Sequence, residues 1–223
     1  MTYSIIIPVY NEERSLPTLI QKLNKLDKNI EIIIIDDGST DGTKTLLKNA
    51  QNLKIIINQY NMGKGFASLA GVYNAKNENI ILYDGDLELD IEDIPRLINI
   101  FEKKDYDVLV GTRWSAGDFF LSINYLGNIF INMLFNILYK SNLNDVLCCV
   151  KITKKETFKS LQVKSQRFSF EAETMAKIVL NNLSIKEVQI KYRRRTVKEG
   201  KKLKLSDGWI IIWNIIKIKF NLS

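Results

Sequence analysis

Ile80-Ile81-Leu82-Tyr83-Asp84-Gly85-Asp86-Leu87-Glu88 reads as a buried strand that ends in three acids at alternate positions. On an extended backbone alternate side chains share a face, so Asp84, Asp86 and Glu88 are expected to converge where the strand leaves the sheet. Like charges this close repel unless a cation lies between them. Hard oxygen ligands at such spacing suit Mg²⁺ or Mn²⁺, which usually take substrate phosphates as further ligands. Taken alone, an acidic, solvated strand end explains the stretch equally well. The rest of the chain decides between the two.

Apolar runs and amphipathic segments alternate outward from that stretch. Ser4–Pro8, Ile30–Ile35, Leu53–Ile57 and Asp107–Val110 read as further strands. Between them, Glu12–Leu26 carries Leu16, Leu19, Ile20, Leu23 and Leu26 at helical spacing, and helices are expected from Thr40 to near Ala50, over Lys64–Lys76 and over Ile91–Lys103. This alternation predicts an α/β fold, a mostly parallel sheet covered by helices on both faces. Ligands of such sheets bind beyond the carboxyl ends of the strands. The segments at those ends are Val9–Glu12, Asp36–Thr40, Asn58–Gly65, Asp84–Glu88 and Gly111–Arg113.

Composition narrows the chemistry. The 223 residues are 46% hydrophobic and 26% charged, as expected of one globular core. There is no histidine, which argues against the usual zinc sites and Ser-His catalysis. Cys148 and Cys149 are adjacent, a poor disulfide framework, and Met1 leads directly into the first strand without a signal peptide; both point to a reducing cytosol. The net charge of +7 calls for an anionic partner.

The second half differs. Phe119–Tyr139 is 21 residues without a formal charge, yet Asn124, Asn128, Asn132 and Asn136 form a polar stripe along it. Four amides in hydrocarbon are costly, so a helix packed on the domain or lying at a membrane surface fits better than a span. Lys191–Lys204 holds eight Lys or Arg in fourteen residues, and the apolar Trp209–Phe220 follows with Lys217 and Lys219. Trp and Lys on an apolar helix suit a membrane interface; a helix docked on the core is the plainer reading. A nucleic-acid module would explain the charge, but the cations are local and no such motif accompanies them.

Pro8-Val9-Tyr10-Asn11-Glu12, Asp36-Asp37-Gly38-Ser39-Thr40-Asp41-Gly42, Asn61-Met62-Gly63-Lys64-Gly65 and Asp84-Gly85-Asp86-Leu87-Glu88 follow predicted strands in this order. Together they resemble the nucleotide-sugar half of family-2 glycosyltransferases with the GT-A fold. Gly111-Thr112-Arg113, Asp145 with Lys151, Phe170-Glu171-Ala172-Glu173, and Tyr192–Arg195 running on to Lys202 extend the likeness. The last set is similar to the branch of dolichyl-phosphate mannosyltransferases and bacterial polyprenyl-phosphate enzymes.

That resemblance implies a GT-A domain over residues 1–205, with 1–113 binding the nucleotide sugar and 114–205 forming the acceptor half and basic loop. A C-terminal amphipathic helix would cover 206–223. It implies that Pro8, Tyr10, Glu12, Ile35 and Asp37 line the donor pocket, and that Asp84, Gly85 and Asp86 meet ribose and diphosphate. Asp84, Asp86 and Glu88 would hold Mg²⁺ or Mn²⁺, while Arg195 and Lys201 belong to a loop closing on the phosphates. Arg113 would stand near the reacting phosphates, so that Asp86, Arg113 and Arg195 carry the catalysis. The implied reaction is inverting hexosyl transfer from GDP-mannose- or UDP-glucose-type donors to a polyprenyl or dolichyl phosphate. The enzyme would be peripheral, on the cytoplasmic face of the membrane. A phosphomonoester is already an anionic nucleophile near neutral pH, which suits a chain without histidine. The alternative is the same donor chemistry with a sugar hydroxyl acceptor. One departure stands out: the dolichyl-phosphate enzymes carry several cations in the segment corresponding to Phe119–Asn128, and here there are none.

Overall fold

Runs of isoleucine make the central strands of the computed structural model, which describes residues 1–103, 106–114, 123–167, 169–195 and 205–222. β1 (Tyr3–Val9), β2 (Glu31–Asp36), β3 (Lys54–Ile57) and β4 (Asn79–Leu82) lie side by side in parallel. β5 (Val108–Thr112), β6 (Lys151–Lys154) and β7 (Ile185–Gln189) complete a seven-stranded sheet of order β3-β2-β1-β4-β6-β5-β7. β6 runs antiparallel to both β4 and β5, and every other pairing is parallel. The expected α/β architecture is therefore present with one reversed strand. That reversal matters: Leu82 pairs with Lys151, so the start of β6 lies at the same end of the sheet as the end of β4.

Strand alternation sorts the core into two layers. Ile5, Ile7, Ile32, Ile34 and Ile81 face α1 (Leu16–Leu23), α2 (Thr43–Lys48) and α4 (Ile94–Glu102). Ile6, Ile33, Ile35, Ile80 and Leu82 face α3 (Lys64–Asn74), α5 (Ile123–Tyr139), α7 (Phe170–Leu180) and α8 (Leu205–Lys219). α6 (Lys155–Ser160) adds Phe158 to this second layer. The expected helix over Ile91–Lys103 opens as a 3₁₀ turn, Ile91–Asp93, with Asp90 capping it by accepting from the Glu92 N–H at 3.3 Å.

α5, the described part of the uncharged segment, packs on the domain. In α5, Tyr125, Ile131, Phe135 and Tyr139 are buried, and the Tyr139 hydroxyl donates to the Ile215 carbonyl of α8 at 2.9 Å. The asparagine stripe has a local purpose. Asn132 and Asn136 both donate to the Leu143 carbonyl, at 2.7 and 2.8 Å, and accept from the Val146 and Leu143 N–H groups at 2.9 and 3.0 Å. These amides tie down the chain that leads from α5 to β6, which has no ladder partner of its own. The other face of α5 stays open, with Leu126, Phe130, Met133 and Ile137 exposed. Among the described residues no helix is long and apolar enough to cross a membrane.

Candidate active site

The strand ends β1, β2 and β4 present their loops to one another. The Glu12 N–H donates to Thr43 Oγ1 and the Asn11 N–H to Ser39 Oγ, both at 2.8 Å, so the loops after β1 and β2 are stitched together. Asn11 takes φ 49° at this turn, a left-handed conformation that asparagine tolerates. Pro8 and Tyr10 are partly exposed on this rim. Ile35 is not on it: its side chain is fully buried against α3, within the space a Cβ at Gly71 would need. A donor therefore finds no Ile35 side-chain surface.

Asp37 is buried and heavily used. One carboxylate oxygen accepts from Asn58 Nδ2 and the Met62 N–H, both at 3.0 Å, and the other from the Gly63 N–H at 2.7 Å. It thus fixes the turn that starts α3. Gly63 has φ 96°, and a Cβ on Gly65 would sit 2.1 Å from the Ser165 carbonyl oxygen. Glycines on both sides of Lys64 let this turn lie flat against the loop before α7.

The three acids are not carried on an extended strand as expected. β4 ends at Leu82, and Asp84–Glu88 is a turn with Leu87 at φ 60°. The alternation that would place the three on one face is lost there. Asp84 faces Lys64, whose ammonium lies 2.7 and 2.9 Å from its two oxygens. Glu88 accepts the Arg195 N–H at 2.9 Å. Asp86 accepts the Glu88 N–H at 3.0 Å. Among the described residues no group of three or more His, Cys, Asp or Glu side chains forms a ready metal cage. The Asp86 carboxyl is nonetheless pushed up to about 7, first by burial and then by the charges of Asp84 and Glu88. Surplus negative charge centred on one carboxylate fits a hard divalent ion with few protein ligands.

Gly85 has a structural reason the sequence did not disclose. A Cβ there would lie 2.5 Å from Val9 Cγ1, so β1 packing alone excludes a side chain. Arg113 is committed to Asp145, with Nε and Nη2 each 2.8 Å from a carboxylate oxygen, and its guanidinium lies 5.0 Å from the Trp114 ring and 5.7 Å from the Tyr192 ring. Its Nε and Nη2 are thereby taken up by Asp145.

Tyr192 bridges to Leu89, and the Arg193 N–H donates to the Glu88 carbonyl at 2.7 Å, so the basic segment runs beside the acidic turn. It delivers Arg195 onto the buried Glu12, 3.0 and 3.1 Å from the two oxygens. Lys201 and the remainder of the expected closing loop lie outside the described residues. The arrangement brings Glu12, Asp84, Asp86, Glu88 and Arg195 to one end of the sheet. Lys64, Lys151 and Glu171 join them as a set whose pairing the sequence did not reveal.

The carboxyl end of an α/β sheet thus carries the loop after β1, an acidic turn and a basic segment side by side. The chain belongs to glycosyl transferase family 2, whose model matches residues 4–161. It is 29% identical over 185 residues to dodecaprenyl-phosphate galacturonate synthase of Rhizobium johnstonii, covering 79% of this chain and 54% of that protein. It is 30% identical over 197 residues to undecaprenyl-phosphate 4-deoxy-4-formamido-L-arabinose transferase of Pectobacterium atrosepticum, covering 84% of this chain and 58% of that one. The chain thus spans little more than half the length of these relatives. The fold matches glucosyl-3-phosphoglycerate synthase of Mycobacterium tuberculosis, solved with Mn²⁺, UDP and glucosyl-3-phosphoglycerate, at a TM-score of 0.77 and 16% identity, over 100% of this chain and 81% of that one.

Proposed function

We propose that the protein transfers a hexose, with inversion and with a divalent ion, from a nucleotide sugar to a polyprenyl or dolichyl phosphate at the cytoplasmic membrane face. The observation that carries the reading is the meeting of three segments at Arg195. Its guanidinium holds Glu12 of the donor loop and its N–H holds Glu88 of the acidic turn. Asp86 and Glu88 would hold Mg²⁺ or Mn²⁺, with Asp84 joining only on release from Lys64. Such an ion, when bound, supplies a Lewis acid for charge on the departing nucleoside diphosphate. Pro8, Tyr10 and Glu12 form the rim on which the nucleoside lies. Arg195 and Lys201 supply cations for the diphosphate.

Two features support a phosphate acceptor. Glu171, a buried carboxylate, has one oxygen on Lys64 at 2.7 Å and the other on Lys151 at 2.5 Å. Burial alone would raise its carboxyl, but Lys151 and then Lys64 overcome this and keep it below the usual range. A carboxylate held ionised in this way is a poor general base, and a phosphomonoester needs none. The second feature is the exposed apolar side chains of two helices that pack on each other, Phe130, Met133 and Ile137 of α5 and Trp209 and Trp213 of α8, the latter with Lys217 exposed one turn on. It suits the surface of a membrane in which a lipid phosphate resides.

The test is transfer from UDP- and GDP-sugars, with Mg²⁺ or Mn²⁺, to undecaprenyl phosphate and to free sugars. Metal-dependent formation of a prenyl-phosphate sugar is the expected result. Transfer to a sugar hydroxyl but not to the lipid phosphate would replace the acceptor assignment and keep the donor chemistry.

A further inference from the structure

Four side chains of alternating charge run from the site into the core. Lys151, at the start of β6, is almost wholly buried and lies 2.5 Å from Glu171 and 2.6 Å from the Cys148 carbonyl. Glu171, in the first turn of α7, reaches Lys64 at 2.7 Å, and Lys64 reaches Asp84 at 2.7 Å. Buried ion pairs contribute little net stability, and apolar residues of equal volume often serve as well or better. A chain of four therefore calls for a function besides stability.

Exposure shows where that function is exerted. Lys151 and Glu171 keep 1% and 7% of their side-chain surface, Lys64 and Asp84 keep 21% and 28%. The inner pair has almost no surface with which to meet a donor. The outer pair stands at the open end, one turn from Asp86. Backbone geometry restricts Lys64 as well, because Asp37 and the two flanking glycines fix the turn it sits on. Cys149, which also faces Lys64 and Asp84, is buried and its thiol is pushed up, so it stays neutral.

We propose, on the reading of this site as a nucleotide-sugar site, that Glu171 is a positioning residue for donor binding: anchored by Lys151, it holds Lys64 on Asp84. Lys64 then balances the charge of Asp84, leaving Asp86 and Glu88 as the anionic pair that faces an ion and a diphosphate. Glu171 acts through Lys64 and takes no proton in the reaction.

The experiment uses Lys64→Met, the charge-balanced pair Glu171→Gln with Lys151→Met, and the triple variant. Glu171→Gln alone would leave Lys151 buried and unpaired, so the paired change keeps a fold that thermal unfolding can verify. Affinity for UDP and GDP is measured with Mn²⁺, and KM and kcat with the better donor. Outer-shell partners of a metal site typically contribute about tenfold or more to affinity. We therefore expect each of the first two variants to weaken Mn²⁺-dependent nucleotide binding by about tenfold, and the triple to be no worse than either. KM for donor should rise more than kcat falls. Multiplying losses in the triple would show independent roles and overturn the proposal. Unchanged nucleotide affinity in the paired variant, with kcat lost and one limb of the pH profile gone, would make Glu171 a general base. Wild type that binds neither nucleotide would overturn the donor reading itself, an outcome distinct from variants that simply match a wild type that binds.

Discussion

Arg195 and Glu12 lie 183 positions apart in sequence and form a close ion pair, with one guanidinium nitrogen 3.0 and 3.1 Å from the two carboxylate oxygens. Ser15 Oγ donates to the same carboxylate from the position just before α1. Both partners are largely buried, keeping 12% and 6% of their side-chain surface. The pair closes the site at the point where the described part of the basic segment ends.

Breaking that pair should weaken the fold as well as the site. Arg195→Ala takes away the guanidinium that faces both oxygens of the buried Glu12 carboxylate. A loss of about 1–3 kcal/mol is expected for a buried group deprived of its partner. Urea unfolding measures it. Glu12→Gln with Arg195→Met should recover most of the stability without recovering nucleotide binding. Full stability in Arg195→Ala would show that the pair contributes nothing to the fold.

Asp86 makes stability depend on pH. Its carboxyl is raised to about 7 by burial, then by Asp84 and Glu88, whereas the unfolded chain titrates near the ordinary value of 3.8. Between these values the folded state holds a proton that the unfolded state has lost. Stability of the metal-free protein should therefore fall as pH rises from about 4 to 7, and level off above. Asp86→Asn removes the penalty. It should stabilise the metal-free protein at pH 8 by about 1–2 kcal/mol, less than the full shift because the side chain is partly open to solvent. Hexosyl transfer should be abolished in the same variant. Equal unfolding midpoints for wild type and variant across pH 4–8 would contradict this.

The sheet and its two faces were legible because β-branched runs alternate cleanly: Ile5 and Ile7 to one layer, Ile6 to the other. The reversed β6 was not, because Cys148-Cys149-Val150-Lys151-Ile152 carries no signal of direction. The site was legible as a set of loops and not as a set of pairings. Asp84, Asp86 and Glu88 read as one face of a strand, but Leu87 at φ 60° puts them on a turn instead. That Arg113 pairs with Asp145 could not be read from either residue's place in the sequence. Partner choice among charges is set by tertiary approach. The spacing of Lys64 and Glu171 holds no trace of it, although the glycines around Lys64 mark the turn as constrained.

Gly85 offers a test of packing against chemistry. A methyl group there would lie 2.5 Å from Val9 Cγ1 and 3.1 Å from Ile7 Cγ2. Gly85→Ala should destabilise by about 1–3 kcal/mol through overpacking. Val9→Ala in the same chain opens the space and should return part of that loss. Activity should follow stability in the pair, because the turn bearing Asp84 and Asp86 shifts with the strand it leans on. A Gly85→Ala protein of normal stability that fails only in transfer would instead mean that the ligand itself needs the missing side chain.

The apolar face of α5 and α8 sets the last expectation. Trp209 is 75% exposed, Trp213 60% and Ile137 68%. Large apolar side chains exposed on neighbouring helices mark a surface that something covers. The cover we propose is an anionic bilayer. Lys217 is exposed on the last turn of α8, and each basic residue near anionic lipid contributes about 1 kcal/mol. The protein should float with phosphatidylglycerol vesicles at low salt and detach as salt is raised. Trp209→Ser with Trp213→Ser should abolish flotation while nucleotide binding persists, because the donor loops lie on other elements. Absence of flotation at low salt would assign the face to another cover. Attachment that resists both high salt and carbonate would require a deeper insertion than these helices provide.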